Sequence, residues 1–241
     1  MDRVIYLAMA GATATLQRQD VLAHNLANVS TNGFRAEMTA FRAVPVQGDG
    51  ASTRVYAIES TPGYNPEPGP VAATGRDLDV AMAGKSWLAV QGRDGTEAYT
   101  RSGSLDVNSE GLLVTRSGLT VLGDGGPISV PANAQISVGA DGTVSATVGK
   151  GKPQGVGRLK LVTPEAPLVR GEDGLFRGTN GDVPADATAR LQAGALEGSN
   201  VSAVESMVAM IAAARQFEQQ MKMLQTSQER EQSATKLLSS T

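Results

Sequence analysis

Residues 201–224 read VSAVESMVAMIAAARQFEQQMKML, and their hydrophobic repeat decides the fold of this end of the chain. Apolar side chains recur at alternating intervals of three and four residues, the heptad pattern of a helix that packs against another helix. The positions of this predicted seam are Met207, Met210, Ala214, Phe217, Met221 and Leu224. The register continues more weakly as far as Leu238, so the pattern predicts one helix over about 201–238.

A second apolar stripe lies on another face of the same predicted helix, near its start. Its members again follow at three- and four-residue intervals: Val201, Val204, Val208 and Ile211. A single helical partner covers only one face, so the stripe predicts a further interaction surface. Ser202 and Glu205 have the spacing of a capping box, with Asn200 as a competing N-cap.

The other end of the chain carries a matching pattern. A 4-3-4-3-4-3 spacing, interrupted only by a glutamine, joins Ile5, Met9, Ala12, Leu16, Gln19, Ala23 and Leu26. It predicts a long helix over residues 1 to about 30, which ends before Asn32-Gly33. Because two helices with complementary seams can pair, we predict that residues 1–33 and 198–241 form one discontinuous coiled-coil domain. Its uncovered stripe would pack against neighbouring subunits of a polymer.

Short apolar runs separated by turn signals fill the middle of the chain. Runs such as Trp87-Leu88-Ala89-Val90 and turn dipeptides such as Asp141-Gly142 follow each other at intervals near ten residues. This spacing is typical of antiparallel strands, so residues 76–197 are predicted to form an all-β domain inserted between the helices. Residues 34–75 are predicted to be an extended connector, because residues 62–70 contain four prolines. The predicted fold class is multi-domain α+β.

The sequence offers little for catalysis or for ligand binding. The chain has no cysteine and one histidine, His24, which we interpret as a helix-surface residue. Asp77 and Asp79 alternate in a predicted strand, and we interpret them as a solvated face. We therefore predict no enzyme, no cofactor and no metal site. A net charge of −3 gives no electrostatic reason for a nucleic-acid partner, and the absence of a long apolar run predicts no membrane span.

Three groups of motifs resemble one protein family. Residues 22–34 read LAHNLANVSTNGF, which resembles the amino-terminal signature of the flagellar axial proteins, the rod, hook and hook-associated subunits. GSNV at 198–201 and RQFE at 215–218 resemble the closing helix of the same family. YTRSG at 99–103 resembles a motif of its β-domain, so the resemblance covers nearly the whole chain.

The resemblance implies a structural role. It implies a subunit of the bacterial flagellar basal-body rod that polymerises through its terminal helices into the tubular, torque-transmitting drive shaft. Other rod subunits and the flagellar type III export apparatus are the implied partners. The implied location is the periplasmic rod, reached without a cleaved signal peptide. Details of the motifs favour a proximal-rod subunit, and a distal-rod or hook-type subunit stays open.

The predicted assembly residues combine both seams with the second stripe. They are Ile5, Met9, Leu16, Leu26, Val201, Val204, Met207, Val208, Ile211, Phe217, Met221 and Leu224. Two functions of other classes stay open beside assembly. An enzyme of the cell envelope would require a catalytic centre, and a monomeric binding module such as an export chaperone would require stably protected terminal helices.

Overall fold

The computed structural model describes residues 2–45 and 55–239, and the backbone contacts divide the chain into two compact units. The helical unit consists of Met1–Val29, Glu37–Tyr64 and Val201–Thr241. The β unit consists of Ser30–Ala36 and Asn65–Asn200. Two terminal helices and a central β-rich region make the fold α+β, as the sequence predicts.

Both predicted helices are present and close to their predicted limits. Helix α1 spans Asp2–Ala27 and helix α2 spans Ala203–Ser239. Ser202 caps α2, because its Oγ accepts a hydrogen bond from the Glu205 backbone N–H at 3.4 Å. Among the residues with described structure, neither helix combines enough length with enough apolar character to cross a membrane.

The predicted connector contains a two-stranded antiparallel ribbon that belongs to the helical unit. Strand β1 (Glu37–Pro45) pairs with strand β2 (Val55–Tyr64), and residues 46–54 lie outside the described part. The sequence predicted an extended connector here and not a paired ribbon, and proline cannot donate to a β ladder. Pro62 nevertheless fits, because it falls at the register irregularity opposite the step from Met38 to Ala40.

The β unit contains the remaining strands, and every pairing described in it is antiparallel. Their bounds are β3 Val71–Ala73, β4 Val80–Met82, β5 Trp87–Gln91, β6 Glu97–Thr100, β7 Leu105–Val107, β8 Leu113–Thr115, β9 Leu122–Gly123, β10 Gly126–Pro127, β11 Ala134–Val138, β12 Thr143–Val148, β13 Gln154–Arg158, β14 Leu161–Val162, β15 Val169–Arg170, β16 Phe176–Arg177, β17 Leu191–Ala193 and β18 Ala195–Glu197. The largest sheet has the order β14-β5-β6-β16-β15, and a three-stranded sheet has the order β11-β12-β13.

The core of the β unit is formed by the inward faces of these short strands. Leu88, Val90, Leu105, Leu113 and Val121 are completely buried in it. Tight turns join the strands, and Gly142, with φ of +87°, occupies the hairpin between β11 and β12. The unit also extends beyond the predicted 76–197 limits, since β3 pairs with β18. This pairing joins the first strand of the β unit to its last strand.

Candidate functional site

The helices α1 and α2 pack against each other within the helical unit. Buried or half-buried positions follow a heptad spacing along each helix. In α1 they are Ile5, Ala8, Ala12, Thr15, Gln19, Leu22 and Leu26; in α2 they are Ala203, Ser206, Met210, Ala213, Phe217, Gln220 and Leu224. Each predicted seam consists of two alternating rows of positions. In each helix, one row is buried or half-buried at the predicted residues, and in the other row the buried position is one residue earlier.

Small side chains occupy several positions of the displaced rows. Ala8 and Thr15 are buried where Met9 and Leu16 were predicted to lie, and Ser206 and Ala213 replace Met207 and Ala214. Small residues let two helix backbones approach closely. A prediction based on hydrophobicity instead favours a larger apolar neighbour, such as Met9 beside Ala8. Four large residues of the predicted seams, Met9, Leu16, Met207 and Met221, are exposed, so they are wrong as members of the α1–α2 contact. Their part in subunit assembly stays a prediction.

An exposed apolar surface, here named the α2 stripe, lies on the start of α2. Val204 is 74% exposed, Val208 62% and Ile211 56%, and Met207 adjoins them with half its surface exposed. Val208 follows buried Ser206 by two residues, which is about 200° around a helix of 3.6 residues per turn. The α2 stripe therefore faces away from the α1–α2 contact. Val201, predicted to belong to this stripe, precedes the helix and is half-buried.

Asn25 fixes the beginning of strand β1 to the end of helix α1. Its Nδ2 donates to the Glu37 carbonyl at 2.9 Å, and the Glu37 N–H donates to Asn25 Oδ1 at 2.8 Å. The buried carboxamide thus pairs with the backbone as a neighbouring strand would. His24 Nδ1 lies 2.7 Å from the Glu37 carboxylate, so this helix-surface histidine has a partner.

A buried charge cluster lies in the β unit, and the sequence interpretation did not find it. Glu197 is 1% exposed, with Oε2 2.6 Å from Arg101 Nη2 and Oε1 2.5 Å from Arg35 Nη1. Arg101 also donates to the carbonyls of Met82, Gly84 and Ser86. Burial lowers the pKa of Arg101; the Glu197 charge opposes this shift and Arg35 adds to it.

Arg35 is less fully satisfied than Arg101. Its contact with Glu197 is an ion pair, and its buried Nε has no hydrogen-bond partner among the described residues. Both guanidinium groups lie about 6 Å from the Trp87 ring centroid, at 6.0 and 5.9 Å. One carboxylate therefore compensates two buried cations from distant parts of the chain.

The Asn200 side chain does not cap α2 and instead joins three segments of the chain in the β unit. Its Oδ1 accepts from the Ala36 N–H at 2.7 Å, and its Nδ2 donates to the carbonyls of Asn65 and Glu67 at 3.1 and 2.8 Å. The Gly33 N–H donates to the Glu197 carbonyl at 2.8 Å. These bonds tie residues 33–36 to residues 65–67 and 197–200.

The predicted solvated face at Asp77 and Asp79 is wrong. Asp77 lies in an exposed turn, whereas Asp79 is buried and accepts a hydrogen bond from Thr74 Oγ1 at 2.8 Å. Arg76 Nη1 adds an ion pair at 3.3 Å. Within residues 2–45 and 55–239, His, Asp and Glu side chains form no group that could hold a metal ion.

Family comparisons cover the segments that contain these features. A model described as flagella basal body rod protein matches residues 5–35, and the D1 domain of flagellar hook protein FlgE/F/G matches 81–146. A model for the carboxyl-terminal region of the flagellar basal body rod FlgEFG proteins matches 192–237. The flagellar basal-body rod protein FlgF of Escherichia coli is 49% identical, with 99% of each chain covered. The chain belongs to the flagellar basal-body rod family.

Further relatives agree with this family assignment. The rod protein FlgF of Caulobacter vibrioides is 34% identical, with 99% of this chain and 98% of the relative covered. The rod protein FlgG of Bacillus subtilis is 32% identical, with 95% of this chain and 96% of the relative covered. The family is structural, so this member is not an enzyme. Within the family segments, the Asn25 and Glu197 side chains bind backbone groups, and Arg35 pairs with Glu197.

Proposed function

We propose that the chain is a structural subunit of the proximal flagellar rod that polymerises through its terminal helices. The helix pair would form a coiled coil, and the α2 stripe would pack against a neighbouring rod subunit. The subunit would use the flagellar type III export apparatus, without a cleaved signal peptide, and assemble in the periplasm. Family membership supports the rod assignment, and the higher identity to FlgF than to FlgG relatives favours the proximal rod.

The exposure of the α2 stripe is the observation that carries the assembly proposal. Val204, Val208 and Ile211 recur at intervals of four and three residues, so their side chains form one continuous apolar row on the helix. Burying such side chains stabilises a contact by roughly 1.5–3 kcal/mol each. An isolated chain gains nothing from this row, whereas a polymer gains in every copy.

A charge in the middle of the α2 stripe tests this proposal. Val208→Asp would place a carboxylate in the proposed subunit contact, where a buried unpaired charge is strongly unfavourable. In cells that carry the variant as their only copy, we expect purified basal bodies to lack this subunit and motility to be lost. The isolated variant should unfold at nearly the wild-type urea concentration, because exposed substitutions change stability by only about 0.5 kcal/mol.

Gln219→Asp is the control for the added negative charge. Gln219 is exposed on the same helix, but it lies beyond the α2 stripe among polar residues. We expect the control chain to enter the rod. Normal incorporation of Val208→Asp would refute the proposed contact, while loss of both variants would point to a defect in export or folding instead.

A further inference from the structure

Two Asn-Gly steps occur in the β unit, at Asn32-Gly33 and Asn180-Gly181. An Asn-Gly step can modify itself when the glycine nitrogen attacks the asparagine side-chain carbonyl carbon. A C–N bond forms, ammonia leaves, and the resulting succinimide ring adds water to give isoaspartate or aspartate. No oxidant or cofactor takes part. Glycine favours this reaction because it has no Cβ to hinder the approach.

The backbone at Gly33 blocks this reaction at the first step. The Gly33 N–H donates to the Glu197 carbonyl at 2.8 Å, so the attacking nitrogen is already engaged. Gly33 is buried, with φ of +70°, and a Cβ built there would lie 2.2 Å from the Arg101 carbonyl carbon. Ring closure would require this packed backbone to open, although the Asn32 side chain itself is exposed.

The second step has none of these restraints. Asn180 and Gly181 are both exposed, and within the described part of the chain the Gly181 N–H makes no hydrogen bond. Gly181 has φ of +100°, and a Cβ built on it would meet no atom within 4 Å. Hydrogen bonds hold the loop on either side, where Thr179 Oγ1 donates to the Pro167 carbonyl and the Val183 N–H donates to the Tyr99 hydroxyl.

We propose that Asn180 is a site of spontaneous deamidation through a succinimide, whereas Asn32 is protected by the fold. The product adds one negative charge beside Asp182, and the isoaspartate form inserts an extra carbon into the loop backbone. The modification would therefore accumulate at the surface of the β unit and leave residues 33–36 intact. This inference does not depend on the proposed assembly function.

Peptide mapping of the aged, purified full-length chain tests the proposal. After incubation at mildly alkaline pH, trypsin releases residues 178–190 and 19–35 as separate peptides, since arginine precedes and ends each of them. Fragmentation by mass spectrometry then locates the replacement of the amide by a carboxyl group. We expect conversion at Asn180, with Asn32 at least about tenfold slower, because its reaction needs a local opening that breaks a buried hydrogen bond.

The same chain incubated in concentrated urea is the internal control. Both Asn-Gly steps lose their folded environment there, so we expect Asn32 and Asn180 to convert at similar rates. In Asn180→Gln, peptide 178–190 should stay unmodified under folded conditions. Equal rates at both steps in the folded chain, or a folded Asn180 much slower than in urea, would overturn the proposal.

Discussion

The charge of the Glu197 side chain balances the charge of a buried cluster. Its carboxylate compensates Arg35 and Arg101, which are each 2% exposed. Glu197 is more than 90 positions from either arginine in the sequence, so the cluster joins both ends of the β unit to its middle. Removing one partner of a buried ion pair is costly, because the remaining charge has lost its compensation and cannot reach water.

We therefore expect Glu197→Gln to destabilise the β unit by about 3–5 kcal/mol. The substitution keeps the shape of the side chain but leaves two buried guanidinium groups without a counter-charge. Urea unfolding followed by Trp87 fluorescence measures the effect, since Trp87 lies in the β unit beside both arginines. Asp94→Asn is the control, because Asp94 pairs with Arg177 at an exposed site. A midpoint as high for Glu197→Gln as for the control would contradict this account.

The sequence motifs contained these residues but did not reveal what they do. Asn25, Arg101 and Asn200 all fall in segments that resemble the axial-protein family. Arg101 and Asn200 interact with residues 96 and 164 positions away, at Glu197 and Ala36. Single-sequence patterns describe near neighbours and periodicity, so they cannot pair such distant residues. The useful signal is a charged residue inside an otherwise strand-like segment, as at Arg101.

The two helices show both the strength and the limit of a periodic pattern. Their extents were predicted closely, because a repeat sustained over many turns is a strong signal. The contact faces were predicted only in part, because a periodic pattern does not decide between two neighbouring residues, as at Leu22 and Ala23. Ala12, Phe217 and Leu224 of the predicted seams are buried or half-buried. In the second row of positions, the smaller residues Ala8 and Ser206 are buried beside exposed Met9 and Met207.

Gly11 and Gln220 form a specific contact between the two helices. A Cβ built on Gly11 would lie 2.8 Å from Gln220 Oε1, and this oxygen is buried without a hydrogen-bond partner in the described structure. Glycine inside a helix is unfavourable by about 1 kcal/mol relative to alanine. Its position opposite the Gln220 carboxamide suggests a steric requirement, and a polar residue in such a seam can select one register.

A double-mutant cycle tests the coupling of Gly11 and Gln220. In a Gln220→Ala background, we expect Gly11→Ala to raise stability by about 1 kcal/mol, the ordinary gain in helix propensity. In the wild-type background the gain should be smaller or reversed, by a coupling of about 0.5–3 kcal/mol, because alanine must displace the carboxamide. Urea unfolding followed by far-ultraviolet circular dichroism gives all four free energies. An identical gain in both backgrounds would show that the residues act independently.

At the scale of the whole molecule, the helical unit and the β unit differ in how they are stabilised. The fully buried large side chains of the described residues, such as Leu88, Leu105 and Val144, all belong to the β unit. In the helical unit, the buried apolar residues among those described in α1 and α2 are alanines, Ala8, Ala12 and Ala213, and the α2 stripe is exposed. The ribbon of β1 and β2 was not predicted, because the prolines suggested a connector. The two strands are also separated in the sequence by residues 46–54.

Hydrogen exchange of the isolated chain tests this difference in stability. Among the described residues, most fully buried apolar side chains belong to the β unit, so local opening of the helical unit should cost less free energy. We expect peptides from α1 and α2 to exchange well before peptides from β5 and β8, with residues 225–236 the fastest part of α2, because their described side chains are almost all exposed. In assembled rods, burial of the α2 stripe should slow exchange around Val208 selectively. Equal protection of helices and strands in the isolated chain would instead indicate a stable monomer, as expected for a monomeric binding module. It would argue against the proposal that contacts with neighbouring rod subunits stabilise the helical unit.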